Sequence, residues 1–289
     1  MSVYDLMVKR RSVRVFKEQK IPEHILEKLM DAAHNFPSGG NFQPLSIIIV
    51  QEGEGREELG RLFGSQPWVK NAPLSLIFCV DFYRIKKWAT LSDTNFQGEN
   101  GLPFFLIAYA DLMCAAENVV ILSESFGLGS VYIGGIQRFI DRIREYFLIP
   151  KLVLPMMLLC IGYPEIVPKS PPKLNRNVIF HKEKYKMLND DEIQKAYEDI
   201  YGEFHEDPEK YFLEAYIEDI ESSYFTRDHW LQLAPEIDRW LQLAKKLGIK
   251  NHAQFLFKLR YPMEELDSTY KKQIQAFRNA GFNIFGKEK

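Results

Sequence analysis

Three arginines and a hydroxyl fall within five residues in Lys9-Arg10-Arg11-Ser12-Val13-Arg14-Val15-Phe16. Arg10, Arg11 and Arg14 with Ser12 can direct several donors at one dianionic phosphate, and the planar guanidinium fork is well shaped for that contact. About twenty residues further on, Phe36-Pro37-Ser38-Gly39-Gly40-Asn41-Phe42-Gln43-Pro44 is a turn-rich polar loop. It leads into the apolar run Ser46-Ile47-Ile48-Ile49-Val50. A phosphate clamp followed by small polar residues at a strand entrance suits a planar, phosphorylated cofactor.

A basic cluster is also what a solvated surface or a nucleic-acid patch looks like. The whole chain argues against nucleic acid: Lys plus Arg total 37 against 39 acids, with a formal net charge of -2. There is no second basic stripe interleaved with aromatics. The six histidines show neither a His-Glu-x-x-His pattern nor a companion pair of cysteines, so no metal site is expected. The sequence has no Gly-x-Ser-x-Gly elbow and no Gly-x-x-x-x-Gly-Lys phosphate loop. Gly127-Leu128-Gly129 precedes a strand, whereas a dinucleotide fingerprint needs its glycines after one; it reads as a helix stop. Cys79, Cys114 and Cys160 stand among apolar neighbours and are expected to be three reduced, buried thiols.

Periodicity along the chain outlines the helices and strands around these residues. At 289 residues and 46% hydrophobic content the chain can bury a large core. Pro22 opens a helix whose Ile25, Leu26, Leu29, Met30 and Ala33 share a face. Strands are expected over 47–50, 74–80, 130–133 and 156–161. A helix that is apolar nearly all round is expected over 111–126, which marks a buried core or a subunit interface. Another amphipathic helix carries Phe139, Ile140, Ile143 and Phe147. No apolar stretch is expected to reach the roughly 20 residues that cross a bilayer. No secretory signal is visible at Met1-Ser2-Val3-Tyr4-Asp5, so a cytoplasmic protein without membrane association is expected. Composition shifts at Pro168-Lys169-Ser170-Pro171-Pro172-Lys173, and beyond Asn189 the chain reads as helical. There Trp230, Leu233, Ile237, Trp240, Leu241 and Ala244 form a stripe stopped by Gly248, a packing surface by its spacing. The acidic runs Asp190-Asp191-Glu192 and Glu218-Asp219-Ile220-Glu221 read as solvated helix faces.

Three segments in register carry a resemblance: Arg10-Arg11-Ser12-Val13-Arg14-Val15-Phe16, Pro37-Ser38-Gly39-Gly40-Asn41-Phe42-Gln43-Pro44, and Gly127-Leu128-Gly129-Ser130-Val131-Tyr132-Ile133-Gly134-Gly135. Over roughly residues 1 to 185 the chain resembles the FMN-dependent nitroreductase superfamily. Gln66 and the Tyr132-Ile133-Gly134-Gly135 element point to its branch of NADPH nitroreductases and NADPH-flavin oxidoreductases. The resemblance implies an α+β, three-layer fold with a central mixed β-sheet flanked by helices, in an intertwined homodimer. It divides the chain into an FMN-binding core, 1–188, and a helical C-terminal extension, 189–289, that wraps the partner or covers the active site. It implies bound FMN with NADPH or NADH as reductant, and ping-pong hydride transfer to nitroaromatics, quinones or free flavin. The chemistry then lies at flavin N5, with no catalytic side chain.

Carried over by position, Arg10, Ser12 and Arg14 hold the phosphate or reach the N1–O2 edge, where a cation stabilises reduced flavin. Arg11 is the weakest of the cluster, turned outward to a structural ion pair. Ser38, Gly39 and Asn41 approach the ring from the partner chain, with Gly40 on the substrate side. Gln66 meets the ribityl or pyrimidine part, and the backbone of Tyr132, Ile133 and Gly134 lies beside N5. Where the branch has Lys-Pro-Arg, this chain has Pro171-Pro172-Lys173. Lys173 then replaces the arginine as a phosphate partner, and Lys169 stands in for the flavin-edge lysine. The segment around 203–221 is acidic, and Arg227 matches a basic position associated with NADPH. Two other outcomes stay open: an FMN enzyme of this fold with a dedicated substrate, and a flavin-binding redox or interaction protein with little turnover.

Overall fold

The computed structural model describes residues 2–64, 66–202, 239, 241–261 and 266–286. The apolar runs become strands β1 Leu45–Val50, β2 Leu74–Asp81, β3 Gly129–Ile133 and β4 Val153–Gly162. They form one sheet in the order β1-β2-β4-β3. Every residue of β2 and β4 is buried, as a central strand covered on both faces must be. Around the sheet stand α1 Val3–Lys9, α2 Glu23–His34, α3 Glu54–Leu62, α4 Pro67–Asn71, α5 Tyr83–Leu91, α6 Leu102–Ser125 and α7 Ile140–Tyr146. This is an α+β arrangement.

The sheet corrects one expectation. Among the described residues all three strand pairings are antiparallel, and the parallel component shrinks to an isolated bridge between Ser12 and Ser130. The arginine segment is too short to build a ladder. It touches β3 once and then reaches Pro164, beyond β4, through an antiparallel bridge from Phe16.

The long apolar helix begins nine residues earlier than expected. Gly101 precedes it and Pro103 stands in its first turn, where a missing N–H costs nothing. Its end is as the sequence implied, with Gly127 at φ +71 just past the last turn. By length and composition α6 could cross a membrane. Here its Leu112, Ala115, Ala116, Val119 and Val120 are fully buried against the sheet and α2, as in a core helix. Cys79 and Cys160 are buried, and desolvation pushes the Cys160 thiol up to about 12. Cys114, expected to be buried, is exposed because it faces away from the sheet side of α6.

The chain divides into two compact units, Met1–Pro168 with Ser268–Lys289, and Lys169–Asp267. The division falls at the proline-rich crossing and not at residue 188. The last residues belong to the first unit because Ala276, Phe277, Ala280, Phe282 and Ile284 are built into its core. In the second unit, α8 Arg176–Ile179 is followed by α9 Asp190–Tyr201. Asn189 and Glu192 form a capping box at the start of α9, so its acidic run is a helix N-terminus. Ala244, Ile249 and Phe255 make a small separate core, and Gly248 takes φ +58. Trp230, Leu233, Ile237, Trp240 and the Glu218–Glu221 run lie outside the described residues.

Candidate functional site

The arginine segment meets β3, an edge strand, at Ser12 and continues extended past the end of β4. The Val13 amide donates to the Ser130 carbonyl at 2.9 Å, Lys17 N–H to Tyr163 at 2.9 Å, and Glu165 N–H to Val15 at 3.0 Å. Val13 is buried against Gly129, where a Cβ would stand 2.4 Å from Val13 Cγ2. The glycine read as a helix stop therefore also admits the arginine segment to the sheet.

Each guanidinium has a different fate. Arg10 ends α1, and its Nη1 is buried with no hydrogen-bond partner. Arg11 donates from Nη1 to the Lys9 carbonyl and, at 3.1 Å, to that of Arg10. That corrects the outward ion pair: Arg11 turns back onto carbonyls at the helix C-terminus, where a cation is favoured. Arg14 donates from Nη1 to the Ser12 carbonyl at 3.4 Å, and its guanidinium carbon lies 5.6 Å from the centroid of the Trp68 ring.

Tyr132 sits on β3 with its hydroxyl donating to Glu117 Oε2 at 2.9 Å. Burial, then the Glu117 carboxylate, push that hydroxyl's pKa well up against the pull of Arg10, so it stays a donor. Ile133 is buried. Nothing lies within 4 Å of the place a Cβ would take on Gly134, which leaves its backbone open. Beside it, Gln66 Nε2 lies 3.8 Å from the equivalent point on Gly135. The structure thus brings Arg10, Ser12 and Tyr132 to one region of β3, and Gln66 to the glycine pair that follows it.

The Ser38 loop is tied to α6. Ser38 Oγ donates to Asp111 Oδ2 at 2.7 Å, and Gly39 N–H donates to both Asp111 oxygens at 3.2 Å. The Gln43 amide returns a bond to Ser38 Oγ at 2.8 Å, and Gln43 Nε2 donates to Asn41 Oδ1 at 3.1 Å. Gly40, Asn41 and Gln43 take φ of 57, 56 and 51. Only glycine adopts that region freely, and asparagine tolerates it. On the far side, Arg84 Nη2 donates to the Gln43 and Leu45 carbonyls at 3.1 and 2.6 Å.

The Nitroreductase family model matches residues 7–163, just over half of the sequence, from the end of α1 through β4. The chain belongs to the Nitroreductase family. It is 32% identical to an FMN reductase [NAD(P)H] of Bacillus subtilis over 198 residues, covering 67% of this chain and 79% of the relative. It is 30% identical to an oxygen-insensitive NADPH nitroreductase of Salmonella typhimurium, covering 70% and 81%. Among solved structures it resembles the hypothetical oxidoreductase YcnD of Bacillus subtilis, with a TM-score of 0.75, 26% identity and coverage of 98% and 99%. It also resembles the NADPH:FMN oxidoreductase of Vibrio harveyi complexed with NAD+, with a TM-score of 0.63, 26% identity and coverage of 81% and 97%.

Three further expected residues belong to the second unit's span of sequence. Lys169 and Lys173 are exposed at the start of the second unit, and Arg227 lies outside the described residues. Trp68, Asp111 and Glu117 escaped the sequence reading. The signal for the last two was present: acids inside an apolar helix are buried with partners or not buried at all.

Glu124, half-buried on α6, has its carboxyl pKa raised by desolvation, with Arg10 and Arg11 pulling the other way. A raised folded-state pKa means the native protein holds this proton at a pH where the unfolded chain has lost it. The charge therefore costs stability at neutral pH, and the cost disappears as pH falls to the ordinary carboxylate range. Glu124→Gln should raise the melting temperature at pH 7 and leave it unchanged at acid pH. Scanning calorimetry at both pH values checks this; no gain at pH 7 contradicts it.

Proposed function

We propose that this chain is an FMN oxidoreductase that takes hydride from NADPH or NADH and passes it to nitroaromatics, quinones or free flavin. The observation that carries the proposal is the buried Arg10 nitrogen with no partner, beside Ser12 on the extended segment. A buried cationic donor without an acceptor is costly, and a phosphate oxygen is the acceptor it lacks. The names of the relatives, FMN reductase and NADPH nitroreductase, support the same chemistry.

Bound FMN supplies the hydride chemistry at its N5. The chain's own residues bind and orient. Arg10 and Ser12 hold the phosphate; Arg14, steadied over Trp68, serves the N1–O2 edge, where its charge favours the reduced ring. Gln66 takes the ribityl or pyrimidine part, and the Tyr132-Ile133-Gly134 backbone flanks the ring. Arg227 serves the nicotinamide nucleotide, with Gly40 on the acceptor side.

A homodimer completes this site. Leu102, Phe104, Leu106 and Ile107 on α6 are each 44–55% exposed in the single chain, an apolar face suited to a second copy. Asp111, which holds the Ser38 loop, and Glu124, near Arg10, are about 20 Å apart along α6 at 1.5 Å per residue. That separation favours a loop that serves the partner's flavin.

The purified protein should be yellow, bleach anaerobically with NADPH or NADH, and recover its colour on adding a nitroaromatic or a quinone. Initial rates should give parallel double-reciprocal lines, the sign of two half-reactions in one pocket. A colourless protein that takes up no FMN overturns the proposal.

A further inference from the structure

Asp111 is a buried carboxylate, 7% exposed, on a helix whose other buried residues, Ser123 apart, are all apolar. A charge in such a place needs its lone pairs filled. The fillers are the Ser38 hydroxyl and the Gly39 amide, both from the loop assigned above to the flavin ring. We infer that Asp111 is the positioning residue of the flavin loop and that it makes Ser38 a hydrogen-bond acceptor only.

A serine hydroxyl has one proton and two lone pairs. At 2.7 Å from a carboxylate oxygen that proton is committed, and one lone pair takes the Gln43 amide at 2.8 Å. One lone pair remains. The cofactor group that meets Ser38 must then be a donor, such as the N3–H of an isoalloxazine or a ribityl hydroxyl, and not a ring carbonyl or a phosphate oxygen. The geometry also leaves little room for slack. A Cβ on Gly39 would come within 2.7 Å of Ile107 Cγ2, so the loop lies directly on α6 one turn before Asp111. Because α6 also carries the exposed apolar face, Asp111 ties the position of the loop to the helix on which two copies meet.

The inference rests on the FMN proposal, and the experiment separates the two. Asp111→Asn keeps the shape and can still accept from Gly39, but it loses an acceptor; Asp111→Ala removes both contacts. FMN dissociation constants are measured for wild type, Asp111→Asn, Asp111→Ala, Ser38→Ala and the Asp111→Asn/Ser38→Ala pair, with amide exchange at Gly39 and Gln43 in each apoprotein. FMN affinity should fall at least tenfold in Asp111→Ala and less in Asp111→Asn. The double variant should bind no worse than Ser38→Ala, because both changes cut one bond. Exchange at Gly39 and Gln43 should quicken in Asp111→Ala while the core amides of β2 and β4 stay protected. Wild-type FMN affinity in both Asp111 variants overturns the role of Asp111 alone, as do additive losses in the double variant. Wild-type protein that takes up no FMN overturns the parent proposal and this one with it. Should Asp111→Ala fail to fold, the Asn and Ser38 variants decide the matter.

Discussion

Arg10→Ala should weaken FMN binding by about a hundredfold while leaving the apoprotein as stable as wild type, or more so. The two effects have opposite signs because the same nitrogen causes both. In the apoprotein Arg10 Nη1 is buried and unpaired, so the fold carries the desolvation cost of a cationic donor with nothing returned. Truncation removes that cost, offset by the loss of stem packing and of attraction to Glu124. With phosphate present, the same group makes charge-assisted bonds, each worth about 1.5–3 kcal/mol, and about 2.7 kcal/mol corresponds to a hundredfold in affinity. Arg10→Lys should fall between, since an ammonium restores charge without the planar fork. Flavin release on dialysis and the apoprotein melting temperature are the two readings. Equal losses in both would assign Arg10 to packing, and unchanged FMN affinity would remove it from the site. Arg11→Ala is the internal control. Its guanidinium already caps α1, so it should cost helix stability and little flavin.

That contrast shows where sequence reasoning reached and where it stopped. The arginine cluster was legible as an anion site because residue type and spacing carry that information. Which arginine is free for the anion was not legible, since it depends on where α1 ends and which carbonyls its end exposes. The strand cores of β2 and β4 were legible because fully buried strands are apolar throughout. Their pairing directions were not, since direction is set by how connections cross the sheet. The early start of α6 was available in Gly101-Leu102-Pro103, a helix-opening pattern hidden beside a more apolar run. Asp111 is the most instructive miss. Periodicity treats an acid in an apolar helix as noise. The demand that a buried carboxylate be bonded makes it a pointer to whatever loop lies opposite, here the one with Ser38.

Gly129→Ala should be strongly destabilising for a single added methyl, and its cost should be partly recovered by Val13→Ala. The added Cβ would stand 2.4 Å from Val13 Cγ2, 2.8 Å from Val13 Cβ and 3.3 Å from Val13 Cγ1. The first two are closer than real Cβ contacts, and Val13 is buried and tied by its amide to Ser130, so the pair cannot simply swing apart. Overpacking costs about 1–3 kcal/mol, and a contact this short belongs at the upper end. For a chain of this size about 3 kcal/mol lowers the melting temperature by roughly 6–12 °C. If the strain is relieved by displacing the arginine segment, the Ser12–Ser130 bridge opens and Arg10, Ser12 and Arg14 lose their common frame. FMN affinity should then fall at least as far as in Arg10→Ala. Val13→Ala alone costs about 2 kcal/mol in lost packing. In Gly129→Ala it also deletes both Cγ contacts, leaving the 2.8 Å Cβ approach as residual strain. The double variant should therefore be more stable than the sum of the singles implies, yet short of wild type, and it should regain flavin together with stability. Strict additivity would show that the methyl is accommodated elsewhere. Recovered stability without recovered flavin would break the link drawn between the register of β3 and the geometry of the arginines.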